Sequence, residues 1–478
     1  MIQSIIHSSE NGNLYIYDTQ RRLSMLVHPE FKKACEKSSE VNLYYLKKYL
    51  YLKKYGFFTE SKSVDFLTMK ESMVEKSFID TPQIVFETTD LCNLNCTYCA
   101  LGELYDGFDE RIGKKINTTY AVNLIKYVFD LKPKIKNKIM YISFYGGEAL
   151  LNIEFIRQIV DVVNQLNVKK EFKIVYSMTT NATLIDKYVD FLVLNDFRLL
   201  ISLDGNEKNH SYRVFGKSKK NSFYKVIRNM DMIKRDYSLY FSENISFNAV
   251  LHDRNSVKEI CEFIYNKYNK IPRISELNTR DIKVENKDIL RRMFHRKRES
   301  EVEFIEKSAL SRIAHEESSF YNDLVDFLKY YSINCYISNI NSLLCTEEKY
   351  LPTNTCIPFS KKIFMTSRNK LLPCEKMNYL YYMGSVNENV EIDFSKIVQK
   401  YNFYYDHLKK ICQSCYAYRF CGTCLFHMIN IDRIGTEEFV CDNFCDQNSL
   451  SKKLYYTFSF LEKYPADLYK ILEDIIIE

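Results

Sequence analysis

Between about residues 83 and 252 the chain alternates short apolar runs with longer stretches whose apolar positions recur at helical spacing. "QIVFETT" (83–89) reads as a buried strand, and "IMYISFYGGEALL" (139–151) as a strand ending in two glycines. "FKIVYSMTTNATLI" (172–185) reads as a strand and a turn leading into a helix, with Ile185, Val189 and Leu192 on one helical face. "RLLISLDG" (198–205) and "NISFNAVLH" (244–252) are two further strands. Strands that alternate with helices at this length predict an α/β fold around a parallel sheet, open or closed into a barrel. The residues capable of chemistry fall just beyond strand C-termini, where such folds build their sites.

Outside that region the pattern is less regular. "NGNLYIYDTQ" (11–20) predicts a short strand and turn, and "VNLYYLKKYLYLKKYGFF" (41–58) a helix whose tyrosine and leucine face is read as core. Residues 270 to 340, with "RRMFHRKRESEVEF" (291–304), are charged and helix-like and predict an exposed connection. The tail from 451 predicts one or two closing helices. The expected division is an N-terminal accessory domain (1–80), a core (81–300), a helical connector (301–344), a cysteine-rich domain (345–450) and a C-terminal helix (451–478).

Composition narrows the chemistry. The 478 residues are 46% hydrophobic and 27% charged, as in a globular protein, and eight prolines and twelve glycines leave little room for long linkers. The net charge of +6 is dispersed among charges of both signs, which predicts a solvated mixed surface and not a nucleic-acid interface. "MIQSIIHSSENGN" lacks the basic start and apolar core of a signal peptide, and no apolar run approaches the roughly 18 residues of a membrane span. A cytoplasmic location is expected, without membrane attachment. In a reducing compartment clustered cysteines bind metal more often than they pair, so the fifteen cysteines are read first as ligands.

Cys92, Cys96 and Cys99 follow C-x3-C-x2-C spacing within "TTDLCNLNCTYCALGELY" (88–105). Structural zinc takes four ligands, and neither Cys nor His follows near by. A disulfide would leave one thiol over. A [4Fe–4S] cubane with one iron open to a non-protein ligand fits three thiolates.

This spacing, with Tyr98 before the last cysteine, resembles the cluster loop of radical SAM enzymes. The later motifs follow in that family's order: Gly146-Gly147-Glu148 resembles its GGE motif, and Thr180-Asn181 its TNG segment with Ala182 in place of glycine. Ser202-Leu203-Asp204-Gly205, followed by His210 and Arg213, resembles a segment of peptide-modifying members. The resemblance implies a partial (β/α)6 TIM-like barrel. It also implies a cluster whose open iron binds S-adenosylmethionine (SAM), and reductive cleavage to a 5′-deoxyadenosyl radical. Glu148 would then meet the methionine ammonium, Ser202 the ribose and Arg213 the methionine carboxylate, with residues 245–251 as an apolar wall beside the adenine.

Nine cysteines lie between 345 and 445, and C-x2-C pairs occur in zinc ribbons as well as in iron–sulfur domains. "CQSCYAYRFCGTC" (412–424) and "RNKLLPCEKM" (368–377) resemble a SPASM domain, which carries two auxiliary [4Fe–4S] clusters. By that resemblance Cys356, Cys374 and Cys424, with Cys345 as fourth ligand, would hold the first. Cys412, Cys415, Cys421 and Cys441 would hold the second, leaving Cys445 over. Asn369, where glycine is usual, also tolerates positive φ. Cys35, Cys261 and Cys335 stand alone and read as small buried hydrophobes.

"CNLNCTYC" continuing into "GELY" is most similar to maturases of ribosomally made precursor peptides, which install cross-links or other changes at unactivated carbons. That implies a precursor peptide as substrate and a flavodoxin- or ferredoxin-type electron donor. Residues 1–80 would be a module for recognising the precursor. Two other readings stand beside it. One is an anaerobic sulfatase maturase, in which the residue after the "PC" cysteine, here Glu375, would be a proton acceptor. The other is a non-catalytic iron–sulfur scaffold or electron carrier.

Overall fold

The computed structural model describes residues 4–58, 65–133, 138–169, 171–308, 310–328, 351–418 and 421–476. It divides into two compact units. One gathers residues 1–69, 315–355 and 399–478, and the other residues 70–314 and 356–398.

The first unit holds an antiparallel sheet of β1 (Ile5–Ser8), β2 (Leu14–Asp18) and β3 (Leu23–Leu26). Successive residues of a strand face opposite sides. Tyr17 therefore enters a core with Ile5, Leu324, Phe327, Leu450, Leu454 and Phe458, while Ile16 packs with Phe31 and Phe58. The helix Gln447–Lys463 brings Leu450, Leu454 and Phe458 to that core on one stripe of four-residue steps. The helix Leu43–Lys54 forms as its pattern predicts, capped by the Asn42 side chain on the Tyr44 N–H at 2.9 Å. One face of it, Tyr45, Tyr49 and Leu52, packs half-buried against the core of Ile16, Phe31 and Phe58, as expected. None of its residues is fully buried, and Leu43, Tyr44, Leu50 and Tyr51 are exposed.

The second unit is built on β4 (Gln83–Glu87), β5 (Lys138–Tyr145), β6 (Phe172–Thr180), β7 (Arg198–Ser202), β8 (Ile245–Leu251) and β9 (Arg273–Glu276). These six strands are parallel and adjacent in chain order, as in an open (β/α)6 barrel. β9 corrects one expectation, because four residues inside the charged 270–340 stretch form an edge strand too short to show a period. Alternate positions, among them Ile84, Phe86, Ile142, Phe144, Ile201 and Phe247, are fully buried. The connecting helix Ile153–Leu166 buries Ile156, Ile159, Val160 and Val163 at helical spacing.

β10 (Ile363–Met365), β11 (Lys370–Leu372), β12 (Gly384–Val386) and β13 (Val390–Ile392) extend the same sheet beyond β4. β10 runs parallel to β4, with Ile363 opposite Ile84, and the others are antiparallel. This part of the expected cysteine-rich domain therefore belongs to the sheet of the core. Asn369 makes the β10–β11 turn at φ +66°, the geometry expected for an asparagine in place of glycine.

Candidate functional site

The loop carrying Cys92, Cys96 and Cys99 leaves the C-terminal end of β4 and is held from several sides. The Asn95 N–H donates to Val214 O at 2.8 Å, the Gly147 N–H to Thr89 O at 3.0 Å and the Glu148 N–H to Leu91 O at 2.8 Å. Gly146 and Gly147 serve this contact. A Cβ on Gly146 would lie 2.4 Å from Thr89 O, and one on Gly147 would lie 2.0 Å from Leu91 O. Gly146 also sits at φ +131°, which a side chain rarely adopts. The two glycines therefore let the cysteine loop lie directly against the end of β5.

Glu148, expected to meet a ligand ammonium, has its carboxylate engaged within the protein. One oxygen accepts from the Thr180 hydroxyl at 2.6 Å and the Leu150 N–H at 3.2 Å, and the other from the Asn181 N–H at 2.8 Å. It thus ties the end of β5 to the end of β6. Burial raises its pKa above the usual carboxylate range, against the pull of these donors. Asn181 turns its amide toward the loop, donating to Asn93 Oδ1 at 2.8 Å and lying 3.7 Å from Cys92 Sγ. Ala182 adopts φ +63°, so alanine takes up the left-handed conformation natural to glycine.

Burial pushes the Cys92 thiol up to about 11 and the Cys96 thiol up to about 12, and the three sulfurs influence one another electrostatically. Thiolates in this environment need a nearby positive charge, and metal binding supplies one. Among the described residues no three His, Cys, Asp or Glu side chains converge as a single ion requires. Arg111, which no motif marks, donates from Nη2 to Cys99 Sγ at 3.1 Å. Its Nε is buried without a hydrogen-bond partner among the described residues, a donor lacking an acceptor beside three soft sulfur donors. These residues fit an iron–sulfur group.

Behind the loop lies a charged network that sequence reading only grazed. Asp204, fully buried after β7, accepts from Arg213 Nε at 2.9 Å, Arg213 Nη2 at 3.0 Å and the Val250 N–H at 3.0 Å. The Tyr98 hydroxyl also donates to it. Burial opposes ionisation of Asp204, but the Arg213 guanidinium holds it well below the usual carboxylate range. Arg213 lies 5.4 Å from the Tyr98 ring centroid, and Tyr98 stacks on His252 at 5.6 Å. Tyr98, Leu277, Leu290 and Met293 make an apolar cluster that Cys96 and Val250 touch. The "SLDG" segment was the available signal for Asp204, but a lone aspartate in a turn does not reveal its partner. Ser202 stands at the end of β7, opposite Asn248 of β8.

The strand positions between the buried ones are mostly polar. Ser143, Ser177, Thr179, Ser246, Gln83, Arg198 and Arg273 contribute to a cavity of about 500 Å³. Parallel barrels commonly fill these positions with branched apolar side chains. Here Gln83 donates to Ser143 Oγ at 2.7 Å, and Ser143 Oγ lies 2.6 Å from Ser177 Oγ. Glu375 also lines the cavity, paired with Lys362 Nζ at 3.0 and 3.1 Å.

Of the other cysteines, Cys356 and Cys374 belong to the second unit and Cys424 to the first, while Cys345 and Cys335 lie outside the described residues. Cys412, buried in the first unit, is influenced by Cys415, Cys421 and Cys441. Cys445, the thiol left over, lies beside them, its N–H donating to Cys415 Sγ at 3.4 Å. Cys261 is buried, as expected of a lone cysteine, and burial raises the half-buried Cys35 to about 12.

Residues 86–264 match the Radical SAM superfamily. The radical SAM cyclopropyl synthase TigE of Paramaledivibacter caminithermalis is 29% identical over 34% of this chain and 33% of its own length. A cysteine-type anaerobic sulfatase-maturating enzyme of Clostridium novyi is 31% identical over 30% of this chain and 38% of its own. The chain thus matches between a third and two fifths of the length of these relatives. In fold, a structure of native anSMEcpe with bound AdoMet aligns with a TM-score of 0.51 at 17% identity, covering 81% of this chain and 99% of that one. Among the described residues no helix is long and apolar enough to cross a membrane.

Proposed function

We propose that this chain, which carries a radical SAM domain over residues 86–264, is a maturase that modifies a ribosomally made precursor peptide. The observation that carries the reading is the placement of Cys92, Cys96 and Cys99 on one loop seated against Gly146 and Gly147, with Arg111 Nη2 on Cys99 Sγ at 3.1 Å. A [4Fe–4S] cluster held by the three thiolates would supply the electron that cleaves SAM to methionine and a 5′-deoxyadenosyl radical, which abstracts hydrogen from the substrate.

The protein's own residues position and exclude. Glu148 aligns the ends of β5 and β6 and leaves direct contact with the methionine to the neighbouring backbone. Asp204 fixes Arg213 and Tyr98 beside Cys96, so that the guanidinium face not held by Asp204 can meet a carboxylate. Ser202 is the candidate ribose contact, and Val250 belongs to the apolar wall. The polar cavity receives the peptide, where Glu375, held by Lys362, is the candidate proton acceptor. Cys412, Cys415, Cys421 and Cys441, and separately Cys345, Cys356, Cys374 and Cys424, are the proposed ligands of two auxiliary clusters that take up the second electron. An external flavodoxin- or ferredoxin-type donor supplies the first.

The similarity to sulfatase-maturating enzymes, with Glu375 directly after Cys374, supports a second reading in which a Cys or Ser becomes formylglycine. The test is anaerobic reconstitution followed by incubation with SAM, reductant and either short peptides encoded beside the gene or a sulfatase-motif peptide. Deoxyadenosine formed in proportion to a modified neighbouring peptide supports the first reading, and formylglycine supports the second. Peptide modification without deoxyadenosine would exclude both. Three cubanes predict about twelve irons per chain.

A further inference from the structure

Arg111 lies in "DGFDERIGKK", a stretch without any recognised motif, yet the structure fixes it firmly. On its C-terminal side the Ile112 and Gly113 N–H groups donate to the two oxygens of Asp90, at 3.2 and 3.0 Å. On its N-terminal side Glu110 O accepts from Arg368 Nη2 at 2.8 Å. Asp90 is two residues from Cys92, so the turn bearing Arg111 is anchored to the start of the cysteine loop. The side chain then reaches back to Cys99 Sγ at 3.1 Å. Burial disfavours the guanidinium cation, but Cys99, Cys92 and Cys96 together favour it, so it feels all three sulfurs. Its Nε–H remains buried without an acceptor among the described residues. A buried donor left without an acceptor is costly, which gives the orphan a reason to have a partner in the complete site.

We propose that Arg111 is a positioning residue that sets the reduction potential of the cluster bound by Cys92, Cys96 and Cys99, through its N–H on Cys99 Sγ and a second N–H directed to the bound group. This rests on the function proposed above. Adding an electron makes the cluster more negative, and a fixed cation with N–H donors to its sulfurs stabilises that form more than the oxidised one. Arg111 therefore raises the potential and brings the first electron within reach of a biological donor. Lysine would keep the charge but not the planar pair of donors.

The test is a redox titration followed by EPR on the full-length, anaerobically reconstituted chain without SAM, in wild type, R111K and R111M. The signal followed is the one missing from a C92A/C96A/C99A variant, which separates it from the auxiliary clusters. At the wild-type midpoint, R111M is expected to show at least a tenfold lower ratio of reduced to oxidised cluster, a shift of about 59 mV to more negative potential for one electron. R111K is expected between the two. Midpoints unchanged in both variants overturn the proposal, even if SAM then perturbs the signal less, because Arg111 would be a cosubstrate contact. Should R111M fail to retain iron, R111K decides, and a wild-type midpoint there overturns it. Failure of the functional reading looks different: the wild type itself would show no signal that depends on Cys92, Cys96 and Cys99.

Discussion

Arg213 grips Asp204 with two parallel hydrogen bonds, Nε to Oδ2 at 2.9 Å and Nη2 to Oδ1 at 3.0 Å, and both side chains are buried. Removing one partner of such a pair leaves an uncompensated buried charge, typically a loss of about 3–5 kcal/mol. D204N is therefore expected to lower the denaturant midpoint strongly and to free Arg213 and Tyr98 from their positions beside Cys96. Equilibrium unfolding of the reconstituted protein measures this, and a loss below about 1 kcal/mol would show that the pair is not the organising contact.

Asp204 and Glu148 should respond to pH in opposite senses. Asp204 has a lowered folded-state pKa, so its contribution is complete above the unfolded value of about 4 and is lost only as pH falls toward the folded one. Glu148 has a raised pKa, so its folded form holds a proton more tightly, and its contribution declines as pH rises from about 4 through the folded value. Relative to wild type, D204N should cost the same at about pH 5.5 as at about pH 7.5, because both lie above the pKa of an unfolded aspartate. E148Q should be better tolerated at the higher pH. Denaturant midpoints at both values, showing a parallel dependence for the two variants, would contradict this assignment.

G147A should dislodge the cysteine loop, because the added Cβ would sit 2.0 Å from Leu91 O and backbone has to move. The expected outcome is a folded protein retaining less iron after anaerobic reconstitution and desalting. Wild-type iron content in G147A would mean that the close approach is not needed to seat the loop.

Ala182 makes the opposite prediction. A left-handed alanine costs roughly 1–2 kcal/mol, partly offset by the greater backbone freedom that glycine loses on folding. A182G is expected to stabilise the protein by about 0.5–1 kcal/mol with unchanged iron content. A lower thermal midpoint would show that the alanine methyl, buried at this turn, contributes more by packing than its backbone costs.

Glu375 should act on the substrate and not on SAM. E375Q is expected to keep SAM cleavage near wild type while reducing the yield of modified peptide per deoxyadenosine by about 10²-fold or more, the usual scale of a lost acid–base group. An equal fall in both products would assign Glu375 to structure through Lys362.

Much of the second unit was legible because strand and helix periods are local properties. Parallel strands buried on their outer face announce themselves as "QIVFE" and "RLLIS", and C-x3-C-x2-C spacing exposes a three-cysteine loop without knowledge of any distant residue. The four-residue β9 has no period to read, and nothing local in helix Leu43–Lys54 told that Tyr45, Tyr49 and Leu52 would be covered while Leu43, Leu50 and Tyr51 stay exposed, since amphipathic spacing does not say what covers a face.

What the sequence determined by itself is therefore the order of elements, the cysteine loop and the glycines that follow β5. Only the tertiary structure decided that β10 extends the sheet beside β4, that Glu148 spends its carboxylate on β6, and that Asp204 and Arg111 stand behind Cys96 and Cys99. The physical reason is range. Backbone preferences and ligand spacing act between near neighbours, whereas a buried charge or an N–H on sulfur finds its partner only after folding brings distant segments together.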